Sequence, residues 1–126
     1  MTQKLDGSEA LDALRAALRP GSWAEVDERV VDPGPRYGDG EAVSVSIRKR
    51  GRRYDLDDRG RAVAKSGRPS GWFEVARRVV DRDGFNVNRA GVVFVPVVEG
   101  RDLAAVALRL AGTALAVYDE LLELCE

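Results

Sequence analysis

Apolar residues recur along this chain with two different periods, and each change of period marks an element. Leu11, Leu14 and Leu18 fall at i, i+3 and i+7, one face of a helix that Ser8 can cap and that runs to about Arg19. Pro20-Gly21 ends it, so residues 1–21 read as an N-terminal helical segment. "SWAEVDERVV" carries two signals: Ser22 and Glu25 have capping-box spacing, while Val26, Glu28 and Val30 alternate as in an edge strand. The strand is favoured, because valines cluster just before the Pro- and Gly-rich "DPGPRYGDG". That loop, residues 32–40, is expected to be mobile. "AVSVSIR" alternates cleanly, with Val43, Val45 and Ile47 on one face and Ser44, Ser46 and Arg48 on the other. Gly51 then predicts a tight turn, and residues 42–57 read as a β-hairpin.

Beyond the hairpin, "DDRGRAVAKSGRPSG" is poor in large apolar groups and reads as a linker. Ser70 is expected to cap a second helix with an apolar face of Trp72, Phe73, Ala76, Val79 and Val80, ended by Gly84. Phe85–Val87 and Val92–Val97 flank the turn signal "NRAG" and predict a second hairpin. Asp102 opens a long last helix, residues 102–124. The order α-β-β-β-α-β-β-α, within one domain spanning 1–126, predicts an α+β two-layer sandwich with helices packed on an antiparallel sheet.

The last helix carries more apolar surface than one contact requires. Leu103, Val106, Leu110, Val117, Leu121 and Leu124 form the stripe expected to face the sheet. Leu108, Ala111, Leu115 and Leu122 lie about 100–140° around the axis, at 100° per residue. Either the first or second helix covers this shoulder, or it is an interface with a partner or a second copy.

Composition narrows the chemistry. The net charge is −1, so no global field favours nucleic acid or an anionic membrane. There is no histidine, which removes Ser-His-Asp and Cys-His nucleophile systems and the commonest general base and metal ligand. The single cysteine, Cys125, permits neither an internal disulfide nor a cysteine-rich zinc site. No apolar run approaches the roughly 20 residues that span a bilayer, and "MTQKLDGSEA" lacks the features of a secretory signal. A cytoplasmic protein without membrane attachment, cofactor or bound metal is expected.

Three local features compete for a role. Arg48, Lys49, Arg50, Arg52 and Arg53 give the first hairpin a basic tip, suited to phosphates or simply keeping a strand edge soluble. Asp55, Asp57 and Asp58 carry oxygen ligands for a hard cation, but without EF-hand spacing; Asp58 and Gly60 more simply end the strand in a turn. Trp72 and Phe73 read as core residues, with one ring left partly exposed.

The segment "AVSVSIRKRGRRYDLDDRG", followed by "FEVARRVVDRDGFNVNRAGVVFVPV" and "DLAAVALRLAGTALAVYDELLEL", resembles the small bacterial and phage proteins grouped as domain of unknown function 1828. Residues 26–124 carry the likeness, through Tyr54, Leu56, Asp58 and Gly60 as a Tyr-x-Leu-x-Asp-x-Gly signature. The loop "DPGPRYGDG" departs from that family's Thr-Pro-led form. The element order is also similar to the type III secretion chaperone-like fold, which implies dimers that bind partner proteins. The resemblances imply a small accessory protein and no catalytic residue. The expectation is a non-enzymatic protein-binding module, a regulator, adaptor, chaperone- or antitoxin-like partner acting as a homodimer. The alternative is nucleic-acid binding by the basic hairpin.

Overall fold

The computed structural model describes residues 7–18 and 28–125. Its elements run α1 (Gly7–Ala17), β1 (Glu28–Val31), β2 (Val45–Arg50), β3 (Arg53–Asp57), α2 (Arg61–Ser66), α3 (Trp72–Asp83), β4 (Asn86–Val87), β5 (Val93–Glu99) and α4 (Leu103–Leu124). The strands form one antiparallel sheet in the order β1-β2-β3-β5-β4, so the fold is α+β.

The alternating strand β2 sets the register. Val43, Val45 and Ile47 are fully buried, and Arg48 pairs across β3 with Asp55 and across β1 with Glu28. Ser46 points to the other face yet is buried as well, because its hydroxyl donates to a Glu28 carboxylate oxygen at 2.8 Å. β2 and β3 join through Gly51-Arg52, with Arg50 opposite Arg53 and Gly51 at φ 60. Positive φ at the first turn residue alone is the type II′ arrangement that matches strand twist.

α4 lies across β2, β3 and β5 and receives α1, α2 and α3 on its remaining flanks. Its buried residues, from Leu103 and Ala104 through Leu110, Ala114 and Val117 to Leu121, therefore cover roughly half the helix circumference. They join Val45, Ile47, Leu56, Val63, Val79, Val80 and Val93 in one core cluster. The opposite sheet face is open and presents Arg48, Arg50, Asp55, Asp57, Phe94 and Pro96.

Several expectations need correction. The stretch 57–71 is not a plain linker but contains α2, whose Ala62, Val63 and Ser66 are buried. The order is thus α-β-β-β-α-α-β-β-α. A helix of six residues with so few large apolar groups leaves no readable period. Ser70 does not cap α3; Gly71, at φ 82, precedes its first residue without a side-chain cap. α1 starts at Gly7, which puts Ser8 inside the helix. The capping-box alternative at Ser22 and Glu25, and Val26, lie outside the described residues. In the last helix Val106 is only half-buried, and Leu124 is exposed.

The loop 32–40 is tied down at several points. Arg36 bridges Ala42, and Asp32 and Asp39 accept the backbone N–H groups of Gly34 and Glu41. Tyr37 is buried and meets Tyr118 of α4 edge-to-face at 4.9 Å. Nothing in the local pattern of "DPGPRYGDG" marks Tyr37 as a core residue, since the period that would do so is absent.

Candidate functional site

The structure places the basic tip where sequence predicts it but neutralises much of it. Arg48 meets Glu28 at 3.4 Å, Arg50 meets Asp55 at 2.8 Å and Arg53 meets Glu99 at 3.4 Å. Only Lys49 and Arg52 of the five make no ion pair among the described residues. The Glu28 carboxyl is held below the usual carboxylate range, first by the Ser46 hydroxyl and then by Arg48.

Asp55 does a second job. Its Oδ1 accepts the N–H of Val97 at 3.1 Å, at a β-bulge where Tyr54 pairs Val98 but Leu56 pairs Val95. Val97 is 64% exposed and sits at φ 59, a left-handed conformation that costs a β-branched residue about 1–2 kcal/mol. Pro96 is accommodated at the same bulge, where a missing N–H does no harm.

The Tyr54, Leu56, Asp58 and Gly60 signature is built into the fold. Leu56 is buried, and Tyr54 packs partly buried against the core. Asp58 is fully buried. Its Oδ1 accepts the N–H of Gly60 at 2.8 Å and of Val93 at 3.0 Å, and its Oδ2 that of Ala62 at 3.2 Å. One carboxylate thus ties the end of β3, the start of α2 and the start of β5. Burial raises its pKa, with the three N–H donors opposing. Gly60, at φ 71, supplies the left-handed turn between Asp58 and α2. Asp57 accepts the N–H of Arg59 at 2.8 Å, and burial pushes its pKa up too. The three aspartates are each engaged by the protein, and no group of three or more metal-ligating side chains occurs among the described residues.

The α4 shoulder divides. Ala111 is fully buried within the chain and offers no surface to a partner, because helices pack over that flank. Leu108 and Leu115 pack partly buried against the core, and Leu122 is 37% exposed. The three leucines stand seven residues apart in one row. Beside them Gly112 sits mid-helix with open space where a Cβ would be.

Two further clusters take their form only in three dimensions. In one, Lys65 of α2 reaches Asp39 at 2.5 Å and Glu41 at 2.8 Å, and Arg61 pairs with Glu41, strapping the 32–42 loop onto α2. Both carboxyls fall below their usual range and the Lys65 ammonium rises above its own, each mainly through these hydrogen bonds. Beneath the strap the Tyr37 hydroxyl finds no hydrogen-bond partner among the described residues, and burial pushes its pKa up.

In the other, Trp72 and Phe73 open α3 as an edge-to-face pair, 5.5 Å between centroids and 88° between planes. Both are partly buried, not one alone left partly exposed as expected; Trp72 packs against the core, and the first fully buried residue of α3 is Ala76. The Arg89 guanidinium lies 3.9 Å over Phe73, and that of Arg68 5.3 Å over Trp72. Gly71, Trp72, Phe73, Glu74, Arg77 and Arg89 line a groove there.

Among the described residues no helix is long and apolar enough to cross a membrane. No protein-family model, curated protein or solved structure matches this chain.

Proposed function

We propose that this protein is a non-enzymatic protein-binding module that acts as a homodimer paired through α4. The observation that carries the reading is the row Leu108, Leu115 and Leu122, partly uncovered although three other helices pack on the same element. A seven-residue apolar repeat is the pattern by which one helix seats against another. Gly112 adds to it. A mid-helix glycine costs about 1 kcal/mol relative to alanine, and nothing in its own chain crowds the position. About 60° from the leucine row at 100° per residue, it would let a second helix approach closely.

Charge favours an antiparallel pairing with another copy. The exposed side of α4 carries Arg109 toward its start and Asp119 and Glu123 toward its end. An antiparallel pair sets each basic end beside the other copy's acidic end, whereas a parallel pair stacks like charges. The neutralised tip and the engaged aspartates support a binding rather than a catalytic reading, and they weigh against the basic hairpin as a nucleic-acid grip.

The test is molar mass by sedimentation equilibrium. The parent chain is expected at twice its formula mass, with Gly112→Gln and Leu115→Arg monomeric and Gly112→Gln unchanged in helical circular dichroism. Gly112→Gln is the cleaner variant, since Gly112 is exposed and a Cβ added there meets nothing within 4 Å. A parent chain that stays monomeric at high micromolar concentration overturns the dimer.

A further inference from the structure

We propose that the groove between the start of α3 and the β4–β5 turn binds a short segment of a partner protein, through an acidic side chain set beside an apolar one. This rests on the protein-binding reading above and names a second surface and the chemistry it selects.

The groove combines two partly buried rings with positive charge left unmatched. Arg77 and Arg89 line it with Glu74, and Arg68 lies over the Trp72 ring beside it. Arg77 reaches Asp81 only at 3.8 Å between exposed side chains, and Arg68 and Arg89 make no ion pair among the described residues. Two large rings beside free guanidinium groups form the residue mix that dominates protein–protein binding energy.

The arginines are held in place before any ligand arrives. Arg89 lies on Phe73, and Arg68 lies on Trp72 while donating to the Ala90 carbonyl. A guanidinium stacked on a ring keeps its N–H edge free to grip a carboxylate in a bidentate pair, with little further entropy to lose. The backbone accepts a cost for this arrangement. Arg68 sits at φ 50, in left-handed space, between Gly67 at φ 80 and Gly71 at φ 82. At Gly91 an added Cβ would fall 3.2 Å from the Arg68 guanidinium and 3.0 Å from Val63. Strain of this kind gathers where geometry serves binding.

A protein segment fits better than a nucleic acid. The rings stand nearly perpendicular, and each has a guanidinium over one face, so no flat platform exists for successive bases. Glu74 in the groove repels phosphates but can accept backbone N–H groups of an extended peptide.

The probe is a phage-displayed library of random dodecapeptides, selected on the full chain and, in parallel, on Arg89→Glu. The expected result is a consensus with Asp or Glu next to an apolar residue. Its synthetic peptide should shift the amide resonances of residues 71–77 and 88–91, and lose at least about tenfold in affinity on Arg89→Glu. Arg89 is exposed, so the variant should melt as the parent does. A basic consensus, no consensus, indifference to Arg89→Glu, or tighter binding of single-stranded oligodeoxythymidylate at the same amides each overturns the proposal. Molar mass measured on the same samples separates the two readings: an intact dimer with an inert groove defeats this inference alone.

Discussion

The two ends of the sheet carry similar numbers of arginines and use them in opposite ways. At the β2–β3 turn, Arg48, Arg50 and Arg53 face Glu28, Asp55 and Glu99, residues that come from three different strands. At the far end, beyond Asp58, Arg68 and Arg89 face aromatic rings instead and keep their charge available. The denser basic run in the sequence therefore has most of its arginines paired. Arg68 and Arg89, 21 positions apart in the chain, are the ones held on rings without an acidic partner. A run of like charges along a strand invites counter-charges from neighbouring strands, whereas a guanidinium on a ring face loses none of its charge.

The comparison can be broken most forcefully at Asp58, which supports the far end. Asp58→Ala removes the acceptor of three buried N–H groups, at Gly60, Ala62 and Val93. Urea unfolding is expected to show a loss of about 3 kcal/mol, with Asp58→Asn intermediate because one oxygen remains. A loss below about 1 kcal/mol would mean that water replaces the carboxylate and that this corner does not hold α2 and β5 together.

At the other end the expected sign reverses. Val97→Gly relieves a β-branched residue from φ 59 while leaving the N–H that Asp55 accepts. Thermal melting should show a gain of about 1 kcal/mol after the entropy of a glycine in the unfolded chain is counted. A destabilised Val97→Gly would show that the exposed valine side chain contributes more than its backbone costs.

The smallest effect concerns pH. Because the Glu28 carboxyl lies below its unfolded value, its contribution is complete above the ordinary carboxylate range and disappears as pH falls through the lowered value. Glu28→Gln should thus be less stable than the parent at pH 7, with the difference closing as pH falls below the ordinary carboxylate range. A difference that persists unchanged into acid would assign the effect of Glu28 to packing rather than to its charge.

Much of the scaffold is legible in the residue pattern. Period-two alternation marks β2, the "NRAG" turn signal marks the second hairpin, Gly51 marks the first turn, and the long apolar arc marks α4. Asp58 and Gly60 announce a turn, and the turn is there. What the pattern misses shares one cause. α2 is too short for its period to register, and Tyr37 sits in a loop with no period at all. That Trp72 and Phe73 are both only partly buried depends on what packs around the first turn of α3, which the helix's own spacing does not contain.

Local rules, which act over a few residues, thus determined the strands, helices and turns: side-chain period, glycine at positive φ, and a carboxylate that can reach the N–H groups two and four residues on. The sequence by itself also excluded histidine-based chemistry. Which charges cancel was decided only by the tertiary structure. Glu28 and Arg48 stand 20 positions apart, and Asp58 and Val93 stand 35 apart. Coulomb attraction and hydrogen bonding act over a few ångströms, so partners that distant in the chain become partners only once the sheet has brought them together.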